Sequence, residues 1–130
     1  MKSPLQQIWP SIVWTAIVFF LLSMDTSGIE GSGFLKIKGL DKIIHFVLFF
    51  AFSALWFLYL KSATSISLNW LLFLVFATGS LYGLAMEYYQ DFFTNRNFSY
   101  WDAVADAIGA GAGAAYAKKS PYGNRGRNQN

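Results

Sequence analysis

Residues 43–60 form an almost unbroken apolar run rich in Phe, Leu and Trp. Such a run is long enough to cross a hydrocarbon layer of ~30 Å as a single helix. Apolar runs recur at 8–24 and 70–89, and a fourth, at 101–116, is made mainly of Ala and Gly. More than half of the 130 residues are hydrophobic (55%) and only 13% are charged. A soluble domain of this size has too little interior to hide so many large apolar side chains. The expectation is therefore an all-α polytopic membrane protein with four transmembrane helices, 8–24, 43–60, 70–89 and 101–116, in one antiparallel bundle.

The punctuation between the runs fits this reading. Lys2 precedes the first run, as in a signal peptide, but Asp25-Thr26-Ser27-Gly28 follows instead of a small-residue cleavage site, so the segment is expected to remain as a first span. Pro10 falls in its first turn, where proline is tolerated. Residues 25–40 read as a loop, and the alternation Phe34-Leu35-Lys36-Ile37-Lys38 suits a short strand or an interfacial segment. Asp41 is expected to cap the second helix, and Lys61 to end it by snorkelling. Residues 62–69 make a tight connection. Trp70 and Tyr88-Tyr89 bracket the third helix as interfacial aromatics do. The fourth helix offers a poor lipid-facing surface and belongs against other helices, which its small residues can approach closely. The domain is expected to span 1–119, with 120–130 a disordered basic tail.

Charge gives orientation and excludes several functions. Four spans place both termini on one side, with Lys2, Lys61, Lys118, Lys119, Arg125 and Arg127; Lys36, Lys38, Lys42 and Arg96 lie on the other. The bias places both termini in the cytoplasm, in the inner (cytoplasmic) membrane. The net charge of +3 comes largely from the tail, and no nucleic-acid motif accompanies it. There is no cysteine, hence no disulfide or thiol chemistry. No H-E-x-x-H, G-x-S-x-G or P-loop is present.

Four of the seven acids fall within 79–113. On the third helix Gly79, Gly83, Glu87 and Gln90 form one stripe, and on the fourth Asp102, Asp106, Gly109 and Gly113 form another. The glycines are expected to pack the third and fourth helices together. The topology brings Asp41, Lys42 and His45 to the same end as Glu87, Gln90, Arg96, Asp102 and Asp106. Glu87 lies 17 residues beyond Trp70, roughly 25 Å along a helix and so near the outer boundary of the core. Ser99-x-x-Asp102 also reads as a capping box, and Asp91 as a solvated loop residue.

The combination Asp41-Lys42-Ile43-Ile44-His45-Phe46, Gly83-x-x-x-Glu87-x-x-Gln90, Arg96 and Asp102-x-x-Ala105-Asp106-x-x-Gly109-x-x-x-Gly113 resembles the VanZ-like family of small bacterial membrane proteins. It covers the second to fourth helices. The resemblance implies a four-helix protein of the cell envelope, from a family whose namesake is associated with glycopeptide (teicoplanin) resistance by a mechanism not established. This chain departs from the pattern at Asp106, where many members carry Asn, which adds a charge.

Ionisable groups inside spans are costly and point to function, although a self-satisfied ion-pair network explains the same residues. The first functional expectation is a protein that binds or modulates an envelope lipid, a lipid-linked precursor or a glycopeptide-type drug, with Lys42 and Arg96 as anion contacts. The alternative is an intramembrane metal-dependent or acid–base hydrolase, with His45, Glu87 and Asp106 as candidate ligands for a divalent metal; the sequence demands no cofactor. A small ion-coupled transporter, or a subunit of a homo-oligomer or membrane complex, is a third class.

Overall fold

The computed structural model describes residues 4–24 and 39–121. Of the loop expected at 25–40, residues 25–38, and with them the strand-or-interface reading at Phe34-Leu35-Lys36-Ile37-Lys38, lie outside the described residues, as does nearly all of the basic tail. Among the described residues the chain is entirely helical, with no strand. A 3-10 turn at Pro4–Gln6 leads into α1 (Ile8–Ser23), followed by α2 (Leu40–Ala63), α3 (Leu68–Phe93) and α4 (Tyr100–Lys119).

Each of the last three helices is longer than the apolar run that announces it, because its polar ends continue the helix. Gly39, at φ +86, turns the chain into α2 without a side-chain cap. Asp41 therefore does not cap; it sits in the first turn, where its charge meets the positive end of the helix dipole. Ser67 caps α3, its Oγ accepting from the Trp70 amide at 3.3 Å. Asp91, expected in a loop, lies in the last turn of α3, and its Oδ1 accepts the Phe98 N–H at 3.2 Å, tying down the connection to α4.

The helices alternate in direction, and α2 and α4 end up side by side and parallel. Their register reads from named pairs: His45 beside Asp106, the Phe46 carbonyl beside Gly109, the Phe50 carbonyl and Ser53 beside Gly113. At the far end the Lys61 ammonium reaches α4's last turn, donating to Ser120 O at 2.8 Å, with Lys118 O at 3.4 Å. Lys61 is thus buried and does not snorkel; a cation at carbonyls that have no helical donor left is favoured by hydrogen bonding and by the dipole. α3 runs antiparallel to both, and its Gly79 and Gly83 face Ala110 and Asp106 of α4. The two glycine stripes therefore do not meet each other. Those of α4 admit the backbone of α2, and those of α3 admit side chains of α4.

α1 packs on α2 and α3 without touching α4. Side-chain hydrogen bonds fix it. Trp14 Nε1 donates to Leu48 O, Trp56 Nε1 to Thr15 Oγ1, and the Tyr82 hydroxyl to Thr15 O, all at 2.9 Å. Two apolar clusters fill the space between helices, one around Phe49, Phe52 and Met86, the other around Phe57, Leu71 and Ala114. α2 and α3 are long and apolar enough to cross a membrane, whereas α1 is a shorter apolar helix.

At Gly113 a Cβ would collide with the Phe50 carbonyl and Ser53 Oγ, and neither backbone can retreat without separating α2 from α4. Gly111 faces only the Phe76 ring, 3.3 Å from where its Cβ would stand, and a ring can turn aside. Gly113→Val is expected to cost about 1–3 kcal/mol and Gly111→Ala much less. Thermal unfolding of the two variants under identical conditions checks the difference.

Candidate functional site

The parallel packing of α2 and α4 brings their N-termini to one end of the bundle, where α3 finishes. The polar side chains of three sequence-distant segments meet there. His45, one turn into α2, is 1% exposed; Glu87 on α3 and Asp106 on α4 are both at 0%, and Asp102 is at 2%. Groups of this kind are rarely so deeply buried unless paired.

His45 is the centre. Its Nδ1 stands 2.8 Å from Asp106 Oδ1, a hydrogen bond that the ring N–H donates to the carboxylate in the Nδ1-protonated tautomer. The same nitrogen is 3.9 Å from Glu87 Oε1, and Nε2 is 3.7 Å from Asp102 Oδ2. Three carboxylates thus surround one imidazole. Asp106 is pressed into place by Gly83: a Cβ there would lie 2.7 Å from Asp106 Oδ2 and 2.6 Å from its Cβ. The glycine is needed because the acid occupies its side-chain space.

Glu87 does two things. Oε1 faces the imidazole, while Oε2 accepts the Ser99 N–H at 3.1 Å. Ser99 Oγ in turn accepts the Asp102 N–H at 3.3 Å. Half of the expected capping box is therefore formed, but the return bond comes from Glu87 of the neighbouring helix and not from Asp102. That substitution releases the Asp102 carboxylate. Lys42 Nζ donates to Asp102 Oδ1 at 2.9 Å and to Asp41 Oδ2 at 2.8 Å, and an Arg96 guanidinium nitrogen lies 3.5 Å from Asp102 Oδ2. The side chains of Lys42 and Arg96 are 40% and 25% exposed, so the pairs lie at the mouth of the cluster, with the imidazole behind them.

Gln90 does not join. It lies one turn along the same stripe as Glu87, but its Nε2 donates to Leu22 O at 2.8 Å, satisfying a carbonyl in the last turn of α1. Asp91 also stays outside. The charge balance at the site is accordingly Asp41, Glu87, Asp102 and Asp106 against Lys42 and Arg96, an excess of two negatives with His45 neutral. Around the mouth, Phe98 packs on Tyr88 and Tyr100 with ring centroids 4.9 Å apart in both pairs, and Tyr88, Tyr100 and Trp101 remain largely exposed.

Glu87 Oε1, Asp106 Oδ2 and His45 Nε2 are buried without a hydrogen-bond partner among the described residues. His45, Glu87 and Asp106 each offer one ligand atom within 4.8 Å of the others. Sequence reasoning missed Lys61 as an interhelical tie and the Ser99 amide as a Glu87 partner. A lysine at the end of an apolar run signals an interface from sequence, and nothing in the chain order indicates that α4 ends beside it. No family model, no curated protein and no solved structure matches this chain.

Asp106→Asn keeps an oxygen for His45 and removes one of the two excess charges. It is expected to change stability by less than about 1 kcal/mol, or to raise it. Asp106→Ala removes the partner of a buried imidazole and is expected to cost about 1–3 kcal/mol. Unfolding midpoints of the two variants against the parent chain separate the outcomes.

Proposed function

We propose that this chain is an integral membrane protein of the cell envelope, VanZ-like in its motif pattern, whose polar cluster receives the anionic headgroup of an envelope lipid or lipid-linked precursor. Membrane residence is supported by an inverted distribution of residues. Phe92, Phe93, Tyr100 and Trp101 are 71–77% exposed, while His45, Lys61, Glu87, Gln90, Asp102 and Asp106 are at 2% or less. Water would punish both halves of that arrangement, whereas lipid favours the first and tolerates the second. α2 and α3, of 24 and 26 residues, reach roughly 36 and 39 Å, enough to cross a ~30 Å core with polar ends to spare. α1 and α4 enter with them, held by α1's hydrogen bonds and by the close approach of α4 to α2.

The observation that carries the headgroup reading is the state of the two cations at the mouth. Lys42 has three donors and gives two to Asp41 and Asp102; Arg96 has five and approaches a single carboxylate oxygen. Both side chains are partly exposed, and the same end of the bundle carries the exposed aromatics Tyr88, Tyr100 and Trp101. A phosphate at the boundary of the bilayer meets its acyl chains on the exposed apolar faces of α3 and α4 and its charge on Lys42 and Arg96. The lipid-like portion of a glycopeptide-type drug satisfies the same requirements. The short approach of His45 to Asp106 favours a second reading, an intramembrane hydrolase in which the imidazole and carboxylates act on such a headgroup.

Native mass spectrometry of the protein released from nanodiscs containing phosphatidylglycerol tests the first reading. The parent chain is expected to retain the anionic lipid, and Lys42→Ala/Arg96→Ala to retain roughly a hundredfold less, the loss of two charge-assisted contacts. Equal retention by the two proteins, or none by either, rejects the reading. With both termini in the cytoplasm the site faces outward. A reporter fused after Asn130 is expected to be active only in its cytoplasmic form, and an extracytoplasmic signal reverses the placement.

A further inference from the structure

The inner part of the cluster carries features that anion binding leaves unused. Lys42 and Arg96 balance Asp41 and Asp102, so the two excess negatives reside on Glu87 and Asp106. Both of these are fully buried, and each has an oxygen without a hydrogen-bond partner among the described residues. Carboxyl groups at this depth are neutralised either by protons or by a bound cation, and a divalent ion meets both at once.

We propose that His45 Nδ1, Glu87 and Asp106 bind one divalent transition-metal ion of the Zn2+ or Mn2+ class. The inference stands on these three side chains alone and does not rest on the headgroup reading.

Three observations support it. The first is spacing. Bonds of about 2.0–2.2 Å from a metal place neighbouring ligand atoms roughly 3–3.5 Å apart. His45 Nδ1 is 2.8 Å from Asp106 Oδ1 and 3.9 Å from Glu87 Oε1, values that bracket this range. All three ligand atoms lie within 4.8 Å of one another, and side-chain rotation would draw them in around one ion. The second is the support behind each ligand. With Nδ1 on the metal, the ring proton resides on Nε2, which faces Asp102 Oδ2 at 3.7 Å; this is the carboxylate–imidazole–metal relation that fixes the tautomer and orients the ring. Asp102 is itself held by Lys42 and Arg96. Glu87 keeps Oε2 on the Ser99 amide, leaving Oε1 for the ion. Asp106 is held against Gly83. The third is charge: a divalent ion cancels the two excess negatives. One imidazole and two carboxylates suit Zn2+ or Mn2+ better than Ca2+ or Mg2+, which favour oxygen alone, or Cu+, which favours sulfur. With His45 neutral, its single ring proton would move from Nδ1 to Nε2 as the ion binds.

The test uses the full chain in detergent, stripped with EDTA and titrated with Zn2+ and, separately, Mn2+ by calorimetry. The parent protein is expected to take up one equivalent. Glu87→Gln and Asp106→Asn are expected to weaken binding by about 100-fold, and Asp102→Asn by about tenfold, the range for supporting partners of metal ligands. Asp91→Asn, outside the cluster, should bind as the parent does. Absence of saturable binding by the parent, or equal affinity in the parent and Glu87→Gln, overturns the proposal. If Glu87→Gln does not fold, the parent chain decides alone: Zn2+ must raise its unfolding midpoint and EDTA must lower it, and no shift overturns the site. Because lipid retention is read on Lys42 and Arg96 variants and metal uptake on Glu87 and Asp106 variants, each reading can fail without the other.

Discussion

The close parallel contact between α2 and α4 is the constraint on which the rest of the structure depends. Gly109 and Gly113 let the backbone of α4 settle against the Phe46 and Phe50 carbonyls, where any side chain would hold the helices apart. α4 buries Ala110, Ala114 and Ala117 completely, but these offer little apolar area. Its place is secured by proximity and dispersion, as for small-residue interfaces within membranes. Because the contact is parallel, both helix N-termini fall at one end and both C-termini at the other. Asp41 and Asp102 occupy the first turns, Lys61, Lys118 and Lys119 the last. Each charge group thus lies at the dipole end that favours it.

That same geometry creates the cluster. With α4 held at this distance, Asp106 cannot avoid His45, and α3 can approach only where Gly83 yields its side-chain volume to Asp106. Glu87 then occupies the space between the imidazole and the Ser99 amide, so that it starts α4 and faces the site at once. A residue with two such partners connects the stability of the fold to the electrostatics of the site. The same atoms tie the helices together and line the candidate site, and a network that holds the helices together can also be one that binds an ion.

Much of the fold is legible in the chain. Apolar runs marked four helices, and their alternation with short polar connections predicted up-and-down packing and the convergence of α2, α3 and α4 at one end. Helix ends were less legible: Asp41, Lys61 and Asp91 read as boundaries, yet each continues a helix because backbone hydrogen bonding extends past the apolar run. Gln90 shares a stripe with Glu87, and helical spacing alone cannot separate them. Only the position of α1, whose Leu22 carbonyl needs a donor, draws Gln90 out of the cluster.

The sequence by itself determined which residues are apolar over helical lengths, and hence that the described chain is helical and where its charges gather along it. Periodicity is a local property, so the stripes at Gly79–Gln90 and Asp102–Gly113 were readable without a structure. Which stripe faces which neighbour was decided only by tertiary packing. The glycines of α4 meet α2 and not α3, Lys61 closes the far end of α4, and Glu87 replaces Asp102 in the cap at Ser99. Each depends on the relative rotation and distance of two helices, quantities set by backbone approach across the whole bundle and encoded in no single segment.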